Sequence, residues 1–318
     1  MVTLADVKSA QQRLTGITHY TPLLYSKTLS EMTGNEIYLK CENMQKTGSF
    51  KIRGAYNAVS TLSEEEKARG VVTGSSGNHG QAMVYAASKL GVRSVVVMPE
   101  DASKAKIAAC EGYGGTVILH GITSEARLDK AEELVQQEGM TLVHPFDNAY
   151  VIAGQGTISQ EILEQLPDAQ YILAPIGGGG LLSGVALSAK ETKPSIKVIG
   201  VEPAVGARMR YSWDRGEVSE LTEWQPSVAD GIRTKRPGVL PFAITRKYVD
   251  ELVTVSEAEI INATKLVLER VKILAEPSGA ASVAAMLADT FGIRGQKVVC
   301  VISGGNVELA KYGKILQM

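Results

Sequence analysis

Long apolar runs, basic clusters, paired cysteines and aromatic side chains are all scarce in this 318-residue chain. No stretch reaches the ~18 apolar residues of a membrane span, and the N-terminus MVTLADVKSAQQRL alternates charged and apolar residues without a signal peptide's apolar core. A soluble protein that is not exported is therefore expected. Lysine and arginine (33) balance aspartate and glutamate (34) with no basic run, which argues against nucleic acid or an anionic membrane as a partner. Cys41, Cys110 and Cys300 are odd in number and lack a C-x-x-C spacing, so neither a disulfide framework nor a cysteine metal site is expected, and a reducing cytoplasm fits best. His19, His79, His120 and His144 show no paired spacing and support no metal site. No internal repeat, low-complexity segment or Pro/Ser linker interrupts the chain, so the lobes are not joined by a flexible hinge.

At roughly 100–200 residues per domain, the length suggests two lobes with ample core. Short β-branched runs at 36–42, 70–76, 94–99, 116–121, 141–146, 171–177, 197–203 and 297–305 alternate with helical patterns at 77–91, 103–114, 124–139 and 180–192. Leu128, Ala131, Leu134 and Val135 recur at helical spacing and lay one apolar stripe against a sheet. Such alternation predicts an α/β fold with parallel sheets covered by helices on both faces. Ser256 and Glu259 form a capping-box pattern at a helix start, and Glu64, Glu65, Glu66 and Lys67 after Ser63 read as a solvated helix turn. Segment 204–245, with both tryptophans and no clear period, reads as a long surface excursion serving as lid or interface.

What is abundant is glycine, 32 residues against a usual share of roughly 7%. Clusters follow predicted strands at Gly74-Ser-Ser-Gly-Asn-His-Gly80, Gly177–Gly180 and Ser303-Gly-Gly-Asn306, whereas Gly112–Gly115 precedes its strand and is a turn. Ligands bind outside the carboxyl ends of strands in open parallel sheets, and glycine lets backbone N–H groups come close. Gly177–Gly180 opens a helix, so its N–H groups and the positive helix end converge where a phosphate would be stabilised; a tight turn without ligand is the plainer alternative. The helix continues Leu181-Leu182-Ser183, which excludes a Walker loop, and no register of the cluster completes G-x-G-x-x-G. Glu202, about 20 residues on, keeps a dinucleotide site open.

Lys51 weighs on the choice. Ser49 is the expected N-cap of the next helix, which places Lys51 in its first turn between Phe50 and Ile52. An amine at a positive helix end among apolar neighbours has its pKa lowered, and a neutral amine is what Schiff-base chemistry requires. A nucleotide-binding module without catalysis would keep the glycine loop and have no use for Lys51. An exposed lysine like Lys46 is the ordinary alternative.

In order along the chain, QKTGSFKIRGA, SSGNHGQA, GGGGLLSG, EPSGA and SGGN resemble the fold-type II pyridoxal phosphate enzymes, in particular the serine/threonine dehydratase and serine racemase branch. The resemblance spans essentially the whole chain. It implies a tryptophan synthase β-like architecture: two open, mostly parallel twisted sheets flanked by helices, with the cofactor in the interdomain cleft. The large, cofactor-binding domain would be 1–47 plus 146–318 and the small one 48–145. It further implies that Lys51 carries pyridoxal phosphate and acts as the base at Cα, that Gly177, Gly178, Gly179, Gly180 and Leu181 cup the phosphate, that Asn78 partners the ring hydroxyl, and that Ser303 partners the pyridine nitrogen. Ser75, Ser76, Gly77, Asn78 and His79 match the substrate-carboxylate loop, with His79 supporting the Asn78 turn. The implied reaction is β-elimination and deamination of L-threonine or L-serine to 2-oxobutanoate or pyruvate and ammonia. A neutral Ser303 beside the ring nitrogen suits elimination better than transamination.

Ser76 stands where dehydratases of the branch commonly carry alanine and serine racemases carry the second acid/base, so L-serine/D-serine interconversion is the alternative, with hydroxyaspartate dehydration another. The resemblance also implies a divalent cation, Mg²⁺ or Ca²⁺, held by Glu202 and the carbonyl of Gly206. The position six residues after Glu202, an aspartate in racemase-like members, is Arg208 here. A nucleotide activator site would use Lys46, Thr47, Gln81, Tyr113, Lys272 and Asn306. A homodimer is usual for the branch. The sequence ends at Met318, so isoleucine feedback through a C-terminal regulatory domain is not expected.

Overall fold

The computed structural model describes residues 1–75 and 77–318. Its strands are β1 (Leu23–Tyr25), β2 (Glu36–Cys41), β3 (Val71–Gly74), β4 (Ser94–Met98), β5 (Thr116–Leu119), β6 (Thr141–Leu142), β7 (Tyr171–Pro175), β8 (Lys197–Pro203), β9 (Glu251–Val255) and β10 (Lys297–Ile302). Its helices are α1 (Leu4–Leu14), α2 (Lys27–Thr33), α3 (Lys51–Ser60), α4 (Glu64–Arg69), α5 (Asn78–Lys89), α6 (Lys104–Gly112) and α7 (Ser124–Glu138). There follow α8 (Ala149–Gln165), α9 (Gly180–Thr192), α10 (Arg208–Arg215), α11 (Val239–Tyr248), α12 (Glu257–Leu266), α13 (Pro277–Leu287) and α14 (Leu309–Gln317).

Two sheets result. One has the order β1-β2-β10-β7-β8-β9, parallel except for β1, which runs antiparallel to β2 at the edge; the other, β5-β4-β3-β6, is all parallel. The strands of a parallel sheet covered on both faces must be apolar throughout, and β4 (SVVVM) and β10 (KVVCVI) are buried almost end to end. On one face of the larger sheet Ile260, Ala263 and Val283 of α12 and α13 pack with Val298 and Ile302; on the other Ile158, Ile162, Leu182 and Val185 of α8 and α9 pack with Val299 and Val301. The smaller sheet is covered by α3 and α5 on one side and by Ala131 and Leu134 of α7 on the other.

Helix starts follow local chemistry. Ser256 with Glu259 forms the reciprocal capping box that the sequence predicts, and Ser63 with Glu66 forms a second one at the start of the expected solvated turn. Ser49 does not cap α3. It is extended backbone bridged to Gly304, and Phe50 occupies the cap position without a side-chain hydrogen bond. Segment 204–245 is more ordered than expected, because it contains α10 and most of α11. The buried face of α10 is built from Arg208, Met209 and Ser212, a stripe no apolar period reveals. The three cysteines are buried and unpaired, and burial pushes the Cys41 and Cys110 thiols up to about 12. Among the described residues, no helix is long and apolar enough to cross a membrane.

Candidate active site

Carboxyl ends of β3, β7 and β10, together with the loop after β2, converge on one cavity of about 470 Å³. Lys51, Asn78, the four glycines 177–180 and Ser303 all line it, although they come from four separate stretches of chain.

Lys51 is held there by a seam between distant loops. The Phe50 N–H donates to the Ser303 carbonyl at 3.1 Å, the Gly305 N–H donates to the Gly48 carbonyl at 2.9 Å, and Gly48 supports the turn with φ +74°. The residue that precedes Lys51 at the start of α3 is thereby tied to the end of β10. Lys51 Nζ donates to the carbonyl of Pro145 at 3.0 Å and, among the described residues, has no carboxylate within ion-pair range; part of its surface opens into the cavity. Burial within the protein pushes this amine down to about 8, with Glu276 pulling the other way. At pH 7 about a tenth of such an amine is neutral, against well under ~0.1% of an ordinary lysine.

Opposite Lys51, α9 begins at the glycine cup. Gly179 has φ +96°, and no side chain caps the helix, so its first N–H groups face the cavity. Space requires glycine as well: a Cβ on Gly178 or Gly180 would strike Phe146, and one on Gly179 would lie 2.6 Å from Met209 Cε. The cup is braced from outside by the Gly238 N–H donating to the Gly178 carbonyl at 3.0 Å. Asp147 accepts from the N–H groups of Val239 and Leu240, which caps α11 beside it. An aromatic ring bearing a phosphate fits this donor set, with bare N–H groups for the phosphate, an amine for an aldehyde, and the Ser303 hydroxyl and Asn78 amide on the same cavity wall.

Asn78, the first residue of α5, donates to both oxygens of Glu276 at 3.0 and 3.2 Å and accepts from Asn306 Nδ2 at 2.8 Å. Glu276 opens the EPSGA segment, but nothing local in the sequence marks it as a neighbour of the site. It precedes Pro277 at the start of α13, is 7% exposed, and burial raises its carboxyl to about 7. Ser75 Oγ accepts from the N–H groups of Gly77 and Gly80, shaping the proposed carboxylate loop. His79 faces the other way from its expected role: Nε2 donates to the Val143 carbonyl at 2.9 Å, pinning α5 to the end of β6 rather than bracing the Asn78 turn. Burial lowers His79 to about 3 and His144 to about 4, so both are neutral at pH 7. Ser76 lies outside the described residues.

The nucleotide residues are only partly gathered. Asn306 Nδ2 also donates to the Thr47 carbonyl, and Gln81 and Asn306 share a second cavity of about 310 Å³; Lys46, Tyr113 and Lys272 are not among its walls, and Tyr113 rests on Tyr85. The metal reading fares worse. Both oxygens of Glu202 accept backbone N–H groups, from Met209 and Arg210, and the Gly206 carbonyl accepts from Arg208. Among the described residues no group of three or more His, Cys, Asp or Glu is placed to hold a metal. Glu202 and Gly206 therefore fit a divalent cation poorly, because each oxygen already takes a donor and the Arg208 guanidinium lies on the Gly206 carbonyl.

Residues 14–304 match the sequence pattern described as pyridoxal-phosphate dependent enzyme. The chain is 48% identical over 316 residues to L-threonine ammonia-lyase of Thermotoga maritima, covering 99% of this chain and 78% of that protein. It is also 48% identical over 319 residues to serine racemase of Dictyostelium discoideum, covering 99% of this chain and 98% of that one. The crystal structure of that racemase superposes with a TM-score of 0.91 over 96% of this chain and 99% of the other.

Proposed function

The chain belongs to the family of pyridoxal-phosphate dependent enzymes, and on that premise we propose that it eliminates the β-hydroxyl of L-threonine and L-serine as water, the resulting imine then taking up water as it releases ammonia, to give 2-oxobutanoate and pyruvate. Bound pyridoxal phosphate supplies an electron sink for the pair left at Cα when its proton departs. Everything else falls to the chain. Lys51 would hold the cofactor and, once displaced by the substrate amine, take the Cα proton on Nζ; its amine is suited to this because burial keeps much of it unprotonated near pH 8. The N–H groups of Gly177–Leu181 would hold the phosphate, and Ser303 and Asn78 the ring. The Ser75–His79 loop would orient the substrate carboxylate. Phe146 and Ile232 would back the glycine cup, which they closely adjoin.

One observation carries this reading: an amine with no carboxylate partner among the described residues sits in the same cavity as an uncapped, glycine-lined helix start. A nucleotide-binding module accounts for the second feature and not the first. The test is to incubate purified protein, reconstituted with pyridoxal phosphate, with L-threonine and L-serine and to measure the 2-oxo acid formed. Lys51→Ala should lose the cofactor's protein-bound absorbance and at least ~10³-fold of the activity, as removal of a covalent catalyst does. Wild-type protein that binds no pyridoxal phosphate would sink the proposal.

Serine racemisation is the second reading, favoured by the nearly full-length similarity to the Dictyostelium protein. It needs a proton donor on the face opposite Lys51, for which Ser76 is the candidate. D-serine formation that survives Ser76→Ala removes that role. Arg127, Arg233 and Arg236 also line the cavity, which favours including hydroxyaspartate among the substrates assayed. The same reading takes 48–145 as the small domain and the solution state as a homodimer.

A further inference from the structure

Just beyond β8 the chain makes a short turn, Ala204–Gly206, and enters α10. Glu202, 2% exposed, reaches across it to cap that helix, accepting from Met209 N–H through Oε1 and Arg210 N–H through Oε2, each at 2.9 Å. A carboxylate at a helix N-terminus is well placed electrostatically, and with both oxygens engaged it has little left for a metal.

The cation here is part of the chain. Arg208 is 5% exposed, and its Nη1 donates to the Gly206 carbonyl at 2.6 Å, while its charge acts on Glu202 through space. A Cβ on Gly206 would collide with the guanidinium, so glycine is what lets it reach its own turn. The guanidinium carbon also lies 5.3 Å from the ring centre of Trp224, and the next residue, Gln225, donates its N–H to the Val205 carbonyl at 3.1 Å. From Trp224 the chain runs on to Ile232, whose Cα would lie 3.1 Å from a Cβ on Gly177, and to Arg233 on the cavity wall. Turn, stacked indole and cavity wall are thus joined at Arg208.

We propose that Arg208 is a built-in cation that stands in for a divalent metal, fixing the Ala204–Gly206 turn and, through Trp224, the 224–233 wall of the cofactor cavity without any need for Mg²⁺ or Ca²⁺. Mg²⁺ and Ca²⁺ require about six or more oxygen ligands, and here the candidate carboxylate and carbonyl already have donors. A guanidinium beside them would also repel an incoming divalent ion. This inference holds whichever reaction the cavity performs.

The holoenzyme, freed of metal with a chelator, tests it by two measurements: the thermal melting midpoint and calorimetric titration with Mg²⁺, Ca²⁺ and Mn²⁺. Wild-type protein should show no cation-dependent rise in melting midpoint and no binding isotherm, and its turnover should be the same in chelator as in millimolar Mg²⁺. Arg208→Asp restores the carboxylate spacing and should make the protein cation-responsive, with a melting midpoint that rises with added cation. Its turnover in chelator should fall roughly 10–100-fold, the usual cost of disturbing the support of a cation site, and recover when cation is added. Arg208→Lys, which retains a positive charge, should remain indifferent to cations. Wild-type binding of a divalent cation overturns the proposal, as does an Arg208→Asp protein that folds normally yet ignores cations. If Arg208→Asp does not fold, the wild-type titration decides alone.

Discussion

Two cations two residues apart on α3 meet opposite fates. Lys51 looks into the cofactor cavity, has no carboxylate partner among the described residues, and is pushed down to about 8 by burial. Arg53, 1% exposed, looks the other way into a closed set of charges: Nε and Nη2 donate to Glu42 at 2.8 Å, Nη1 and Nη2 donate to Glu161 at 2.6 and 2.9 Å, and Lys40 Nζ donates to the same Glu161 at 2.6 Å. Burial works against the Arg53 charge, but the two carboxylates outweigh it and hold the guanidinium above its ordinary value. Two positive and two negative groups balance in a region closed to water. Removal from water is common to both cations; the presence of partners makes one an anchor and the other a reagent. The anchor also ties α3 to the segment after β2 and to α8, so the reagent's position is fixed from behind.

The severest way to break the comparison is Arg53→Met. It leaves Glu42 and Glu161 buried with only Lys40 between them, and should cost about 3–5 kcal/mol in urea unfolding, with weakened cofactor retention because α3 loses its anchor. A loss no larger than that of a surface pair would mean that packing, not the charge set, holds Lys51.

A subtler effect concerns the cavity side. Glu276 and Glu202 have carboxyls raised from 4.5 to about 7, so the folded protein binds more protons there than the unfolded chain between those values, and each lowers stability as pH rises through that window. His79 and His144 are lowered from 6.5 to about 3 and about 4, so each raises stability as pH climbs to 6.5. These slopes oppose each other between pH 4.5 and 6.5. Glu276→Gln removes one falling contribution, and the melting midpoint of cofactor-free protein should then climb more steeply with pH across that interval than in wild type. An unchanged slope would show that Glu276 titrates in its ordinary range.

The smallest change sets the baseline. Arg93 and Glu138 form an ion pair at 2.7 Å with side chains 55% and 39% exposed, and Arg93→Ala should cost no more than about 1 kcal/mol. A larger value would undercut the view that closure from water gives the Arg53 set its weight.

The same contrast separates what was legible in the sequence from what was not. Strand β8 and helix α9 coincide with their predicted spans, because an apolar run bounded by polar residues and a glycine cluster before an apolar helix are local patterns. Lys51 and the glycine cup were legible for the same reason. Strand β1 is three residues at an antiparallel edge, too short for a period to register, and β9 lies in a mixed stretch whose pairing with β8 is decided elsewhere in the chain. Helix α11 carries Pro241 in its first turn, which reads as a breaker although a first turn tolerates it. Glu276, Arg53 and Arg208 were opaque as a group. Each is a charged residue whose role depends on partners brought by tertiary folding, and in isolation each looks like ordinary solvated surface.

The seam between the 48–50 and 303–305 loops also sets a schedule for the newborn protein. Lys51 leaves the ribosome well before the backbone that seats it, at Ser303 and beyond. Pairing β10 between β2 and β7 is a long-range event of the kind that folds slowly. During synthesis the reactive amine therefore exists without its pocket, and the chain becomes able to seat its cofactor only when β10 slides into the middle of a waiting sheet.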